Sequence, residues 1–132
     1  MDKKQTTYPA PVAPATLYRD GPNMARIVFV GDSTLELVHH WMLEKLRLAN
    51  EDGVTRFILD VESATPDFPP SALIEEIEFF GDNAPRGIRI AYISSEMRIA
   101  RHFMMIRAAA FAKGLDVEVF DTVDDARAWL GD

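Results

Sequence analysis

Short apolar runs, separated by polar and turn-forming residues, recur along the chain and predict five strands. Their ranges are 16–19, 26–30, 56–61, 88–93 and 115–120. The run at 88–93 is nearly all apolar, which is typical of a parallel strand buried on both faces. The first two runs flank the turn formers Asp20, Gly21, Pro22 and Asn23 and therefore predict a hairpin. Because its first strand is the more polar, we expect that strand at the edge of the sheet.

Between these strands, apolar residues recur at the spacing of amphipathic helices. The first helix is predicted to begin at Ser33, which forms a capping box with Glu36, and to end at Asn50, Asp52 and Gly53. Its core stripe comprises Leu35, Val38, Met42, Leu46 and Ala49, with Trp41 beside it. The second is predicted from about Ser71 to Gly81–Pro85, with Leu73, Ile74, Ile77 and Phe80 facing the core and Glu75, Glu76 and Glu78 facing water.

Two further helices complete the pattern. Ser94 and Ser95 predict the start of a third helix that runs to about Lys113, before Gly114. Its apolar side is predicted to hold Ile99, Ala100, Phe103, Met104, Ile106, Ala108, Ala110 and Phe111. Thr122 and Asp125 predict the cap of a short last helix that docks Ala126, Trp129 and Leu130.

The predicted order is therefore β-β-α-β-α-β-α-β-α. Strands that alternate with helices indicate an α/β class, here with a mostly parallel sheet and one antiparallel N-terminal hairpin strand. A chain of 132 residues is typical of one domain, which we place at 15–132. Residues 1–14 hold Pro9, Pro11 and Pro14 among polar side chains and predict a flexible, proline-rich arm.

Composition narrows the classes of function. A net charge of -7 argues against a nucleic-acid partner, because such proteins concentrate Lys and Arg against phosphates. The absence of cysteine excludes disulfides and thiolate catalysis and suits a cytoplasmic protein. No signal peptide or membrane span is expected, since no apolar run is long enough.

Several segments carry a family resemblance that covers about Ala15 to Leu130. They are the opening hairpin, FILDVESATP, IRIAYISSEMRIARHFMMI and VEVFDTVDDARAWL. Together they resemble the STAS-type fold of anti-sigma-factor antagonists, and more closely the SpoIIAA-like (STAS/SEC14-like) uncharacterised bacterial proteins. The resemblance implies a domain that works by binding a partner.

The resemblance also implies a phosphorylated serine at the start of the second helix, within an Asp-Ser-Ser/Thr-Gly-Leu motif. Asp60 matches the acid at the strand end, but the serine position falls on Pro69 or Pro70, followed by Ser71 and Ala72. Because proline accepts no phosphate, the usual switch is not expected unless Ser71, Ser63 or Thr65 replaces it. For Ser71, a helix N-terminus favours phosphate, whereas simple helix capping and repulsion by Asp67, Glu75 and Glu76 argue against it.

Candidate catalytic and metal sets are incomplete. Gly31-Asp32-Ser33 resembles the nucleophile block of GDSL-type esterases, but the later Asp-x-x-His of that family is missing. Asp60 and Glu62 lack an associated base, which favours solvation or helix-end pairing. Of Asp32, Glu36, His39 and His40, only one histidine can join Glu36 on a helix face, so no metal site or cofactor is expected.

Charge is segregated along the second half of the chain. The stretch 60–82 holds seven acids and no base, and 86–113 holds six basic residues and one acid. The charged side chains either pair within one molecule or form complementary patches between two copies. The residues concerned are Arg98, Arg101, His102, Met105, Glu75 and Glu78.

The sequence thus predicts a non-catalytic STAS-like module that binds a protein partner or a second copy in a homodimer. Its proposed binding loop before the second helix contains Asp60, Asp67 and Ser71, with Ser71 the candidate phosphosite. One alternative is a small apolar or lipid ligand held between the helices and the sheet. A second alternative is a GDSL-like hydrolase.

Overall fold

A computed structural model describes residues 4–7, 15–96 and 103–131 and shows a six-stranded sheet in this part of the chain. The strands lie side by side in sequence order: β1 (Lys4–Thr7), β2 (Ala15–Gly21), β3 (Met24–Thr34), β4 (Arg56–Asp67), β5 (Arg89–Ile93) and β6 (Asp116–Phe120). β1, β2 and β3 pair antiparallel, whereas β3 to β6 pair parallel. The predicted α/β class, with a mostly parallel sheet and an antiparallel hairpin, is confirmed.

The N-terminal edge differs from the prediction. Lys4–Thr7 pairs with residues 16–19, so β2 lies inside the sheet rather than at its edge. The physical reason is that β2 offers a second row of backbone amides and carbonyls, and this proline-free stretch can pair with them. The rest of the predicted arm, residues 1–3 and 8–14, lies outside the described residues.

Four helices are described: α1 (Leu35–Glu51), α2 (Pro70–Asn83), α3 (Phe103–Ala112) and α4 (Val123–Leu130). The crossovers β3-α1-β4, β4-α2-β5 and β5-α3-β6 advance in one direction across the sheet, so α1, α2 and α3 cover the same face. Alternate strand residues supply the two cores. Phe57 and Leu59 belong to the cluster under these three helices, whereas Ile58 belongs to the cluster under α4.

The start of α1 corrects the predicted capping box. The N-cap is Thr34, whose hydroxyl accepts a hydrogen bond from the Leu37 amide at 3.2 Å. Ser33 instead lies buried at the end of β3. The one-residue shift leaves Leu35 41% exposed and buries Leu37 in its place. The predicted C-terminus is confirmed, with Asp52 as C-cap and Gly53 at φ 71°.

The segment between the predicted strand 56–61 and the helix predicted from about Ser71 is mostly strand. β3 and β4 remain paired from Val30 and Ser63 to Thr34 and Asp67. Since β5 pairs with β4 only as far as Asp60, this two-stranded ribbon projects beyond the rest of the sheet. Proline is tolerated at position 66 because the described part of β5 pairs with β4 only as far as Asp60.

The apolar side predicted for the third helix is only partly correct. Phe103, Ile106 and Ala110 are buried. Met104 and Phe111 are 67% and 81% exposed, and Ala108 is exposed as well. One sheet contact buries only a narrow stripe of this helix. Of the other predicted residues, Ile99 and Ala100 lie outside the described part.

The last helix follows its prediction. The Thr122 hydroxyl accepts a hydrogen bond from the Asp125 amide at 3.1 Å, and Ala126 and Leu130 are fully buried.

Beside α4, the buried carboxylate of Asp20 accepts hydrogen bonds from Arg26 and Arg127. Burial raises the pKa of Asp20, but the hydrogen bond and charge of Arg26, together with Arg127, outweigh it and leave the pKa below 3.8.

Candidate functional site: a cavity between two helices and the sheet

An apolar cavity of about 380 Å³ lies between α1, α2 and the face of the sheet that these helices cover. We call it the α1–α2 cavity. Its volume falls within the range of small-molecule sites. The sheet supplies Phe29, Leu59, Ile90 and Tyr92 from adjacent strands. These side chains face the cavity because alternate strand residues point to the same face.

The helices supply the opposite walls. On α1, Val38, Trp41, Met42 and Lys45 line the cavity, as expected from their three- and four-residue spacing. On α2, the lining residues are Leu73, Glu76, Ile77 and Phe80. The cavity therefore has a mainly apolar lining into which a few polar side chains project.

Lys45 is the charged group most withdrawn from solvent in this lining. The residue is 9% exposed, and its ammonium lies 5.1 Å from the centroid of the Phe80 ring. Burial lowers the pKa of Lys45 from 10.5 to about 8, and the negative charge of Glu76 offsets part of this effect. The described part of the chain offers Lys45 no hydrogen bond or ion pair within bonding distance.

Two polar bridges hold α1 and α2 together on either side of Lys45. His39 Nδ1 lies 3.0 Å from Glu76 Oε1, and the Asn50 amide donates to the Asn83 carbonyl at 3.2 Å. Glu76 therefore does not face water as predicted, because α1 packs against its side of α2. Its carboxylate is engaged by His39 rather than by Lys45.

The ribbon formed by the ends of β3 and β4 builds the rim of the cavity. Ser33, Ala64 and Pro66 line it, followed by Phe68 and Pro70. Ser33 is buried there, and its hydroxyl has no hydrogen-bond partner among the described residues. Burial also raises the pKa of Tyr92 to about 12, so this phenol stays neutral and can donate a hydrogen bond.

Glu62 marks the carboxyl edge of the sheet beside the rim. Its carboxylate accepts hydrogen bonds from the Ser95 amide at 2.7 Å and from the Ser95 hydroxyl at 3.0 Å. The pairing register of β3 and β4 shifts just before Ser63, so Asp60 and Glu62 are not a regular alternate pair. Glu62 is therefore bonded to the segment that follows β5, and Asp60 accepts a hydrogen bond from the Glu62 amide.

The three residues of the predicted binding loop lie around the start of α2 and the end of the paired strands. Asp67 is exposed at the end of β4, Ser71 is exposed in the first turn of α2, and Asp60 is half-buried further back in the strand. The N-cap is Pro69, without a side-chain hydrogen bond. Ser71 is therefore not the N-cap. Ser63 and Thr65 are exposed on β4.

The predicted interface residues are only partly described. Arg98, Arg101 and His102 lie outside the described residues. Met105 is 62% exposed, and Glu75 is exposed while Glu78 is half-buried. α2 and α3 are neighbours, and Lys113 pairs with Asp82 at 2.8 Å.

Metal binding and membrane insertion were the two other properties considered. Residues 4–7, 15–96 and 103–131 contain no group of three or more His, Cys, Asp or Glu that could hold a metal. Over the same ranges, no helix has both the length and the apolar character needed to cross a membrane.

Sequence reasoning missed Lys45, although a signal was present. Lys45 follows Met42 by three residues and Trp41 by four, so it continues the inward-facing stripe of α1. Its charge argued for the solvent side. The long side chain allows the backbone position to face inward all the same.

The sheet order, the single layer of crossover helices and the cavity define an α/β binding domain of the STAS type. The family model SpoIIAA-like matches residues 24–131, so the chain belongs to this family. Such domains are STAS-type regulatory or binding modules that generally mediate protein interactions and are generally non-catalytic. The comparison with curated proteins found no match.

Proposed function

We propose that this protein is a non-catalytic, cytoplasmic regulatory module that binds a small apolar ligand in the α1–α2 cavity. The observation that carries the proposal is the cavity itself, which is about 380 Å³ and lies within the hydrophobic core. Binding there removes apolar surface of the ligand from water, which contributes roughly 25 cal/mol per Å².

The position of the cavity also favours a regulatory role. It lies between two helices that are bridged by His39 with Glu76 and by Asn50 with Asn83. A ligand that separates or tightens α1 and α2 changes the outer surface of both helices. A partner that binds this surface would then respond to the ligand.

A phosphorylation switch at the start of α2 has less support. Pro69 and Pro70 occupy the positions where the family resemblance placed the modified serine. Ser71 is accessible, but Asp67 precedes it and Glu75 follows one turn later, and both would repel a phosphate. We therefore propose that the ligand replaces phosphate as the regulatory signal.

The first test is binding of the neutral apolar dye N-phenyl-1-naphthylamine, followed by its fluorescence. We expect saturable binding by the purified protein, and about tenfold weaker binding by Ala64→Phe, which places a ring in the cavity. The matched control is Thr65→Phe, because Thr65 is the next residue of β4, exposed and absent from the cavity lining. No saturable binding, or equal binding by Ala64→Phe and the normal protein, would contradict the proposal.

A second candidate function is self-association through the outer face of α3. Met104, Met105 and Phe111 are 67%, 62% and 81% exposed. Large exposed apolar side chains clustered on one helix are typical of an interaction surface. This candidate extends the sequence-based prediction of a homodimer, in which Glu75 and Glu78 would meet basic residues of a second copy.

Sedimentation velocity across a dilution series tests this candidate. We expect a concentration-dependent dimer that the double change Met105→Ser and Phe111→Ser converts to monomer. Leu43→Ser is the matched control, because Leu43 is 46% exposed on α1. A monomer at every concentration, or a dimer unaffected by the double change, would exclude the α3 interface.

A further inference from the structure

The α1–α2 cavity contains a cation that the described protein does not neutralise by direct contact. Lys45 is 9% exposed and lines a predominantly apolar space. Its ammonium makes a cation–π contact with Phe80, but this ring satisfies none of its three N–H donors by an ordinary hydrogen bond. A buried charge without a bonded counter-ion is costly, and in a cavity such a group is a candidate for binding a ligand.

The nearest opposite charge belongs to Glu76, but it already has a partner. Its two carboxylate oxygens lie 3.0 Å and 3.3 Å from His39 Nδ1. Glu76 therefore acts on Lys45 from a distance, without a salt bridge to it. The donors of Lys45 remain available to an acceptor that enters the cavity.

We propose that the ligand of the α1–α2 cavity is an apolar molecule with a single carboxylate, and that this carboxylate binds the Lys45 ammonium. The inference rests on the proposed function and assigns the ligand its chemical class. An aliphatic or aromatic body would fill the apolar lining, and the acid would supply the missing counter-ion. Charge-assisted hydrogen bonds of this kind are about twice as strong as neutral ones.

The distribution of charge along the cavity orients such a ligand. Lys45 lies eleven residues beyond the Thr34 cap, which places it about 16 Å along α1 from the projecting end of the paired strands β3 and β4. Besides Glu76, the lining contains two carboxylates on the side of that end: Glu62 lies in β4 just past its last pair with β5, and Glu96 follows β5. The acid of the ligand is therefore expected at the inner end near Lys45, with its tail toward the rim at Pro66.

The test compares three probes with the same twelve-carbon chain: dodecanoic acid, dodecan-1-ol and methyl dodecanoate. Each displaces N-phenyl-1-naphthylamine from the full-length protein at pH 7. We expect the acid to bind about tenfold or more tightly than the alcohol and the ester. In Lys45→Met, which has an unbranched side chain one heavy atom shorter and without charge, the preference for the acid is lost while the alcohol binds as before.

Lys113→Met is the control for removal of a lysine elsewhere, because Lys113 pairs with Asp82 outside the cavity. It is expected to retain the full preference for the acid. Equal affinities of the three probes for the normal protein overturn the carboxylate inference and leave the apolar cavity in place. A preference that survives Lys45→Met also overturns it. If neither the dye nor any probe binds, the proposed function fails, and the inference fails with it.

Discussion

Replacing Lys45 with methionine should stabilise the ligand-free protein at neutral pH. The pKa of Lys45 is about 8 in the folded state, against 10.5 in the unfolded chain. Between these values the unfolded chain binds a proton that the folded state does not, so stability rises with pH across this window. Below pH 8 the folded protein carries the full penalty of a buried ammonium.

The size of this penalty follows from the two pKa values. At pH 7 the shift corresponds to about 3 kcal/mol of lost stability, because each pKa unit is about 1.4 kcal/mol. At pH 10 most of Lys45 is neutral in the folded protein, and the loss falls below about 1 kcal/mol. Methionine is uncharged at both values and fills a similar volume, so Lys45→Met removes the penalty without leaving a cavity.

The measurement is urea unfolding of both proteins at pH 7, 8.5 and 10, followed by circular dichroism. We expect Lys45→Met to be more stable by about 3 kcal/mol at pH 7, with a difference that shrinks by about 2 kcal/mol toward pH 10. Tyr92 faces the same cavity in both proteins, so its own titration largely cancels from the comparison. Equal stabilities at pH 7, or a difference that does not change with pH, would refute the reasoning.

Three further predictions concern stability, and each is tested by urea unfolding. Gly81→Ala should destabilise the protein by about 2 kcal/mol, because the added Cβ would overlap the Cβ of Lys113. This cost should exceed the gain from the better helix propensity of alanine. An increase in stability would show that α2 and α3 separate freely. Thr34→Ala should cost about 1 kcal/mol through loss of the α1 cap, and Ser33→Ala, its neighbour, should cost less; the opposite order would restore the predicted capping box. Asp20→Asn should cost about 3 kcal/mol at pH 7, since it removes the counter-ion of two arginines. The contribution of Asp20 is present above pH 3.8 and is lost as the pH falls through its lower folded-state pKa, so a cost that stays constant down to pH 2 would contradict this assignment.

The order of strands and helices could be predicted from the sequence because it depends on local patterns. The apolar run of β5 and the helical spacing in α1 are visible in any window of ten residues. The caps near Thr122 and Gly53 also depend only on neighbouring residues. The alternation of strands and helices predicted the mostly parallel sheet, and the SpoIIAA-like match confirmed the family resemblance.

The rim of the cavity could not be predicted in this way. Pro66 normally signals a loop, and its place in β4 depends on pairing with β3, which lies more than thirty residues earlier in the chain.

The exposed side of α3 could not be predicted from the sequence either. Met104 and Phe111 look like core residues by composition, and only the position of α3 over the edge of the sheet leaves them uncovered.

The amino-acid sequence alone determined the α/β class and the order of the elements. These features depend on residue types and their spacing, and the interactions involved are local, between residues a few positions apart in the chain. Tertiary structure decided that α1 and α2 stand apart over the sheet and that Lys45 lies between them. A cavity and the charge inside it depend on the distances between elements, and those distances are set only when the elements pack together.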